Sequence, residues 1–171
     1  MAYICSYEMR SLIQPYKVIT LEDTRFFHCN IKTLNLIPNV IASQRAKEAD
    51  CDEVIFHRGN IVTECAHSNV LVIDNGIIKI HPYDNLILPG IASIHLMNLA
   101  QANGIPAVQE EFTLDALMHA EEIIITSSGA LCGSITTVDG QSVGGRNPSL
   151  LKRLHDLAAD EMLTYVKQKY R

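Results

Sequence analysis

The chain has 171 residues, 47% apolar and 19% charged, a balance that excludes extended disorder and allows one domain with a substantial core. Its net charge is −5, with lysines and arginines scattered rather than clustered, which argues against nucleic acid as a partner. The five cysteines include no C-x-x-C pair, no apolar run reaches the ~20 residues that span a bilayer, and the start MAYICSYEMRS lacks a signal peptide's basic head and long apolar centre; together these point to a cytoplasmic protein with reduced thiols and neither a metal site nor a membrane partner.

In chain order, Tyr3 to Tyr7 and Lys17 to Leu21 read as short strands with Pro15 as a break between them. Asn35 to Ala49 reads as a helix whose first turn accommodates Pro38. Strands follow at Glu53 to His57, Ile61 to Thr63 and Asn69 to Ile73. Asp74-Asn75-Gly76 is a turn signal, because Asn and Gly tolerate positive φ, and Ile77 to His81 is the return strand of that hairpin. Ile91 to Asn103 is a helix stopped by Gly104 and Pro106. Ala107 to Glu111 is a strand, and Thr113 to His119 a short helix with Thr113 as N-cap. Glu122 to Ser127 is an apolar strand, Ile135 to Val138 another, and Asp139-Gly140 a second hairpin turn. The final segment, Ser149 to Tyr170, is an amphipathic helix with Leu150, Leu151, Leu154, Leu157, Ala158 and Met162 on one face.

Four places could carry chemistry. Lys32 lies among Ile31, Thr33 and Leu34; apolar surroundings would desolvate its ammonium and favour the neutral amine that a Schiff base needs, although the same context fits a surface lysine with a packed stem. Glu64 ends a strand before an irregular turn, where active-site groups are often displayed, or is an ordinary strand-end glutamate. Pro89-Gly90-Ile91-Ala92 opens a helix whose free N–H groups suit a phosphate, or is a plain strand-to-helix turn. Thr126-Ser127-Ser128-Gly129 offers hydroxyls and amides for an anion, or is a polar turn. The seven histidines show no metal spacing, and His67 and His81 read as turn and surface residues.

Taken in order, these segments resemble a family. Asn30 to Val40 is similar to the cofactor-lysine segment of the fold-type IV pyridoxal-phosphate aminotransferases, especially the D-amino-acid type. Val62-Thr63-Glu64 with Ser68-Asn69-Val70 resembles the family's pyridine-binding segment, and His81-Pro82 with Asn85 to Ile91 its phosphate-binding turn. Val138-Asp139-Gly140 resembles a late hairpin. The resemblance implies an α+β fold, the C-terminal domain of the D-amino-acid aminotransferase type: a mostly antiparallel, curled, barrel-like sheet with helices around it. Residues 16–171 would be the pyridoxal 5'-phosphate domain and residues 1–15 the remnant of a preceding domain or a linker.

The resemblance also implies roles. Lys32 would form the Schiff base and move a proton at the substrate. Glu64 would hold the ring nitrogen protonated, Leu88 would pack on the ring, and Gly90, Ile91, Ala92, Ser127 and Ser128 would cradle the phosphate. Arg25 matches an active-site arginine. Substrates would be an amino acid and a 2-oxo acid, and the assembly a homodimer. Ala92 and Gly129 replace hydroxyl residues of the family, His67 replaces a small hydroxyl residue, and the N-terminal domain that orients the substrate has no counterpart in the sequence. The expectation is therefore weak activity or none for this chain by itself. Two further readings share the fold: a non-catalytic remnant, and an aminodeoxychorismate lyase.

Overall fold

The computed structural model describes residues 15–169. The expected strand Tyr3 to Tyr7 lies outside these. In chain order the elements are β1 (Pro15–Glu22), α1 (Ile37–Glu48), β2 (Glu53–Arg58), β3 (Ile61–Cys65), β4 (Asn69–Asp74), β5 (Ile77–Ile80), α2 (Ile91–Ala102), β6 (Ala107–Gln109), α3 (Leu114–His119), β7 (Glu122–Ser127), β8 (Ala130–Val138), β9 (Gln141–Ser142) and α4 (Pro148–Lys169). Most expected boundaries hold to within two residues. Pro15 opens β1 rather than interrupting two strands, a position where its missing N–H costs no ladder bond. β8 starts five residues earlier than expected, because Ala130 already pairs with Ser127 across the Ser128-Gly129 turn.

The strands form one sheet in the order β3-β2-β1-β8-β7-β4-β5-β6, with β9 on the end of β8. Five pairings are antiparallel and three parallel, so the sheet is mixed with an antiparallel majority. Both hairpin turns take the conformations their residues permit: Asn75 and Gly76 have φ of 50° and 72°, Asp139 and Gly140 of 48° and 75°. The sheet curls until its ends meet. Val62 N–H donates to the Phe112 carbonyl at 3.0 Å and Leu114 N–H to the Asn60 carbonyl at 2.9 Å, so the chain leaving β6 is stitched onto β3 at the opposite end.

Alternation along the strands sorts the core. Val70, Val72, Ile123 and Ile125 point to the concave side, with Val18, Ile55 and Ile135. Leu71, Ile73 and Ile124 point to the other side, under Leu96, Met97 and Ala100 of α2 and Leu154 of α4. Ala42 and Ala46 let α1 approach Val54 and Phe56 on β2. No helix among the described residues is long and apolar enough to cross a membrane.

Candidate active site

The curl brings the end of β1, the end of β2, β3 and the start of β4 to one rim. Asp23, directly after β1, and Arg25 two residues on are both buried there, Arg25 only 9% exposed. The Arg25 guanidinium donates through Nε to Asp23 Oδ1 at 2.9 Å and through Nη2 to Asp23 Oδ2 at 3.0 Å. Its Nη1 donates to Glu64 Oε1 at 2.7 Å. The guanidinium lies 4.6 Å over the Phe56 ring. Arg58 completes the cluster, with Nε 3.2 Å from Asp23 Oδ2 and Nη2 2.8 Å from the Arg25 carbonyl. Two guanidiniums thus balance two carboxylates, as buried charges require.

The second Glu64 oxygen looks the other way. Oε2 accepts from the Leu88 N–H at 2.9 Å and from Asn69 Nδ2 at 3.1 Å. Asn69 Nδ2 also donates to the Leu88 carbonyl at 2.8 Å. A Cβ on Gly90 would collide with Asn69 Oδ1, so only glycine lets the chain pass there into α2. Gly90 caps that helix without any side-chain bond, leaving the amides of its first turn open, and Ile91 is 88% exposed. Asn69 pairs with Thr126 across β4 and β7, which brings the Ser127-Ser128 turn alongside. The buried Thr126 hydroxyl has no partner among the described residues.

Burial pushes the Glu64 carboxyl up to about 7, against the pull of the Arg25 charge and the Arg25 and Leu88 hydrogen bonds. Burial acts in the same sense on Asp23, but Arg25 and Arg58 outweigh it and hold that carboxyl below its ordinary value. Glu64 is therefore the more easily protonated of the two acids. Burial pushes the thiols of Cys29 and Cys65 upward as well.

Of the residues expected at a site, Arg25, Glu64, Leu88 and Gly90 are joined by hydrogen bonds or contact through Asn69, with Ile91 and Ala92 following directly in α2. Ser127 is half-buried and Ser128 exposed at the neighbouring turn. Lys32 is different. It lies in the irregular segment between β1 and α1, exposed, as are Ile31 and Leu34, so the expected apolar burial of this lysine is not found. No hydrogen bond or ion pair joins its ammonium to another described residue. What anchors its segment is Cys29, whose N–H donates to the Asn85 carbonyl at 2.9 Å, and Asn85 Nδ2, which donates to the Phe27 carbonyl at 3.0 Å. His67 is an exposed turn residue as expected, but His81 is fully buried, its Nδ1 2.9 Å from the Val62 carbonyl on β3. Asp23, Arg58 and Asn69 were not anticipated as site residues; the Asp-x-Arg spacing at Asp23 and Arg25 is their one local signal.

Residues 6–138 match the family model described as amino-transferase class IV. A D-alanine aminotransferase of Listeria innocua is 39% identical over 155 residues, which is 90% of this chain and 54% of that protein. Among solved structures, a fold IV transaminase from Curtobacterium pusillum superposes with a TM-score of 0.78 at 22% identity, covering 92% of this chain and 56% of the other. A hypothetical aminotransferase from Mycobacterium tuberculosis in its PLP-bound form gives 0.74 at 23%, covering 84% and 55%. The chain spans about half the length of the curated relatives it matches. The curled sheet, the buried glutamate beside the open helix and the family match agree, and the chain belongs to the amino-transferase class IV family.

Proposed function

We propose that this chain is the cofactor-binding part of a pyridoxal-phosphate aminotransferase that moves an amino group between an amino acid and a 2-oxo acid. The observation that carries the reading is the contact chain Glu64–Asn69–Gly90, which sets a buried carboxylate at one end of the rim and an uncapped helix N-terminus at the other. That pair of features suits a ring nitrogen and a phosphate on the same small molecule. The unpartnered Thr126 hydroxyl marks the phosphate end as polar and unsatisfied. When bound, pyridoxal phosphate supplies an electron sink beside the substrate α-carbon.

The chain's own residues divide the remaining work. Glu64 would accept a hydrogen bond from the protonated ring nitrogen, Arg25 holds Glu64 in place, and Leu88 would pack against the ring. The Ile91 and Ala92 amides with the Ser127 and Ser128 hydroxyls would hold the phosphate. Lys32 would carry the covalent attachment and would move the proton at the substrate α-carbon, which requires its exposed segment to be covered. Ala92 and Gly129 contribute no hydroxyl, so retention is weak. Relatives named D-alanine aminotransferase favour a D-amino acid substrate and aminotransfer over the lyase reading. The exposed Phe27, Ile31, Leu34, Ile37, Val40 and Ile41 favour a homodimer, because a contiguous apolar surface drives association. Residues 16–171 act as one cofactor domain in the cytoplasm, where Cys29, Cys51, Cys65 and Cys132 stay free thiols.

The test is to add pyridoxal phosphate and follow its absorbance. A band near the visible edge is expected, lost in Lys32→Ala and kept in Lys79→Ala. D-Alanine and 2-oxoglutarate are then supplied, with pyruvate as the readout, and the 171 residues by themselves are expected to turn over well below ~1 per second. A band that survives Lys32→Ala would remove the assignment.

A further inference from the structure

Asp23 meets four N–H donors with its two oxygens: the Arg25 backbone N–H, Nε and Nη2, and Arg58 Nε; the Thr63 hydroxyl, 3.4 Å away, is shared with the Phe56 carbonyl. Its side chain is completely buried. A guanidinium with one carboxylate partner docks edge to edge and uses both oxygens. Here the Nε–Nη2 edge of Arg25 is occupied by Asp23. Glu64 receives a single bond from Nη1, and its Oε2 stays turned toward the Leu88 amide and Asn69.

We propose that Asp23 is the positioning residue of this site: it claims the two-nitrogen edge of Arg25, keeps Glu64 from being captured by that edge, and with Arg58 sets how firmly Glu64 holds a proton on a cofactor ring nitrogen. The last part rests on the reading that Glu64 faces that nitrogen; the first two do not. The charges make the effect directional. Asp23, Glu64, Arg25 and Arg58 sum to zero. Without the Asp23 charge, Glu64 becomes the one counter-ion of two guanidiniums and releases its proton more readily. Without Arg58, Asp23 and Glu64 share a single guanidinium and Glu64 keeps its proton longer. Of the other titratable groups on the bordering elements, Glu53 is engaged by the Val54 and His67 N–H groups and the Ser68 hydroxyl, and His81 by the Val62 carbonyl and Asp84. Burial pushes the Cys29 and Cys65 thiols up and away from ionisation, and Glu22 pairs with His57 at 3.2 Å on the exposed end of β1.

The experiment is a carbon-13 NMR titration of glutamate carboxyls in the cofactor-free protein, with the Glu64 signal assigned by its loss in Glu64→Gln. In Asp23→Asn the Glu64 midpoint is expected to fall by ~1 unit, and in Arg58→Met to rise. A structural role alone would not produce shifts of opposite sign. Unchanged midpoints, or shifts in one direction, overturn the proposal. Should Asp23→Asn lose its circular dichroism signal, Arg58→Met decides: a rise supports, no change or a fall overturns. A second arm measures pyridoxal phosphate affinity, expected to weaken roughly tenfold in Asp23→Asn and to recover in Asp23→Glu. Opposite midpoint shifts with unaltered cofactor affinity would keep the coupling and remove Glu64 from the ring nitrogen.

Discussion

Arg25, at the centre of the Asp23–Arg25–Glu64 cluster, stands seven residues before Lys32, yet the cluster and the lysine segment are opposite in physical character. In the cluster every charged group is matched, and side-chain exposures are 7% or less. Around Lys32 little is matched: Leu34 is 97% exposed and Ile37 70%. The cluster is finished by this chain alone, because three strand ends converge on it. The lysine segment is held by the turn at Asn85 and by Arg58 over the Phe27 ring, while Ile31, Leu34 and Ile37 face outward. On the proposed reading, the half of the site that would tune a cofactor ring is prepared in advance, while the lysine half would need a cover.

The contrast can be broken by mutation. Arg25→Met should have the largest effect, leaving Asp23 and Glu64 buried beside a single guanidinium; a loss of ~3–5 kcal/mol is expected in urea unfolding. Next comes pH. The folded Glu64 carboxyl titrates at about 7, against an ordinary value of 4.5, so the folded state binds its proton more tightly than the unfolded state. That contribution is fully present below pH 4.5 and is lost as pH rises through 7, a change on the order of 3 kcal/mol. Asp23 runs the other way: its folded value lies below 3.8, so its contribution is present above that and is lost as pH falls through the folded value. Unfolding of Glu64→Gln followed from pH 4 to pH 8 should lack the Glu64 slope.

Smaller effects should mark the passage between the two regions and then the lysine segment itself. Gly90→Ala forces Asn69 Oδ1 away from the chain and should cost ~1–3 kcal/mol by thermal unfolding, with weaker phosphate retention. Lys32→Ala and Leu34→Ser should change stability by no more than ~0.5 kcal/mol, since neither side chain is packed. Leu34→Ser should nonetheless lower the mass measured by light scattering. A large stability loss in Leu34→Ser would show that the lysine segment is already covered.

Much of this was legible from local chemistry. The turns at Asn75-Gly76 and Asp139-Gly140 declared themselves because few residues accept positive φ, and Thr113 caps α3 by accepting from the Ala116 N–H at 3.0 Å. Arg25 and Glu64 were reached by resemblance. Asp23 and Arg58 were not, and Asn69 was quoted within a segment but given no role, because their partners are set by how the sheet curls: the Arg58–Asp23 and Arg25–Glu64 bonds span 35 and 39 residues. Around Lys32 only the expected desolvation is missing, since its apolar neighbours Ile31 and Leu34 are exposed. His81 was misread for the same reason as Asp23, since a residue at a strand end is buried or exposed according to what the closing sheet lays over it.

β1 lies between β2 and β8 and runs parallel to both, and Thr20 bonds to Asp139 across 119 residues of chain. A strand leaving the ribosome can join β2 soon after synthesis, but its other edge stays bare until β8 has been made. At 5–20 residues per second that interval is on the order of ten seconds. Throughout it the nascent chain carries an unpaired strand edge, the kind that invites pairing with a neighbouring polypeptide. Slowing translation between β2 and β8 should therefore lower soluble yield, while slowing it after α4 begins should not.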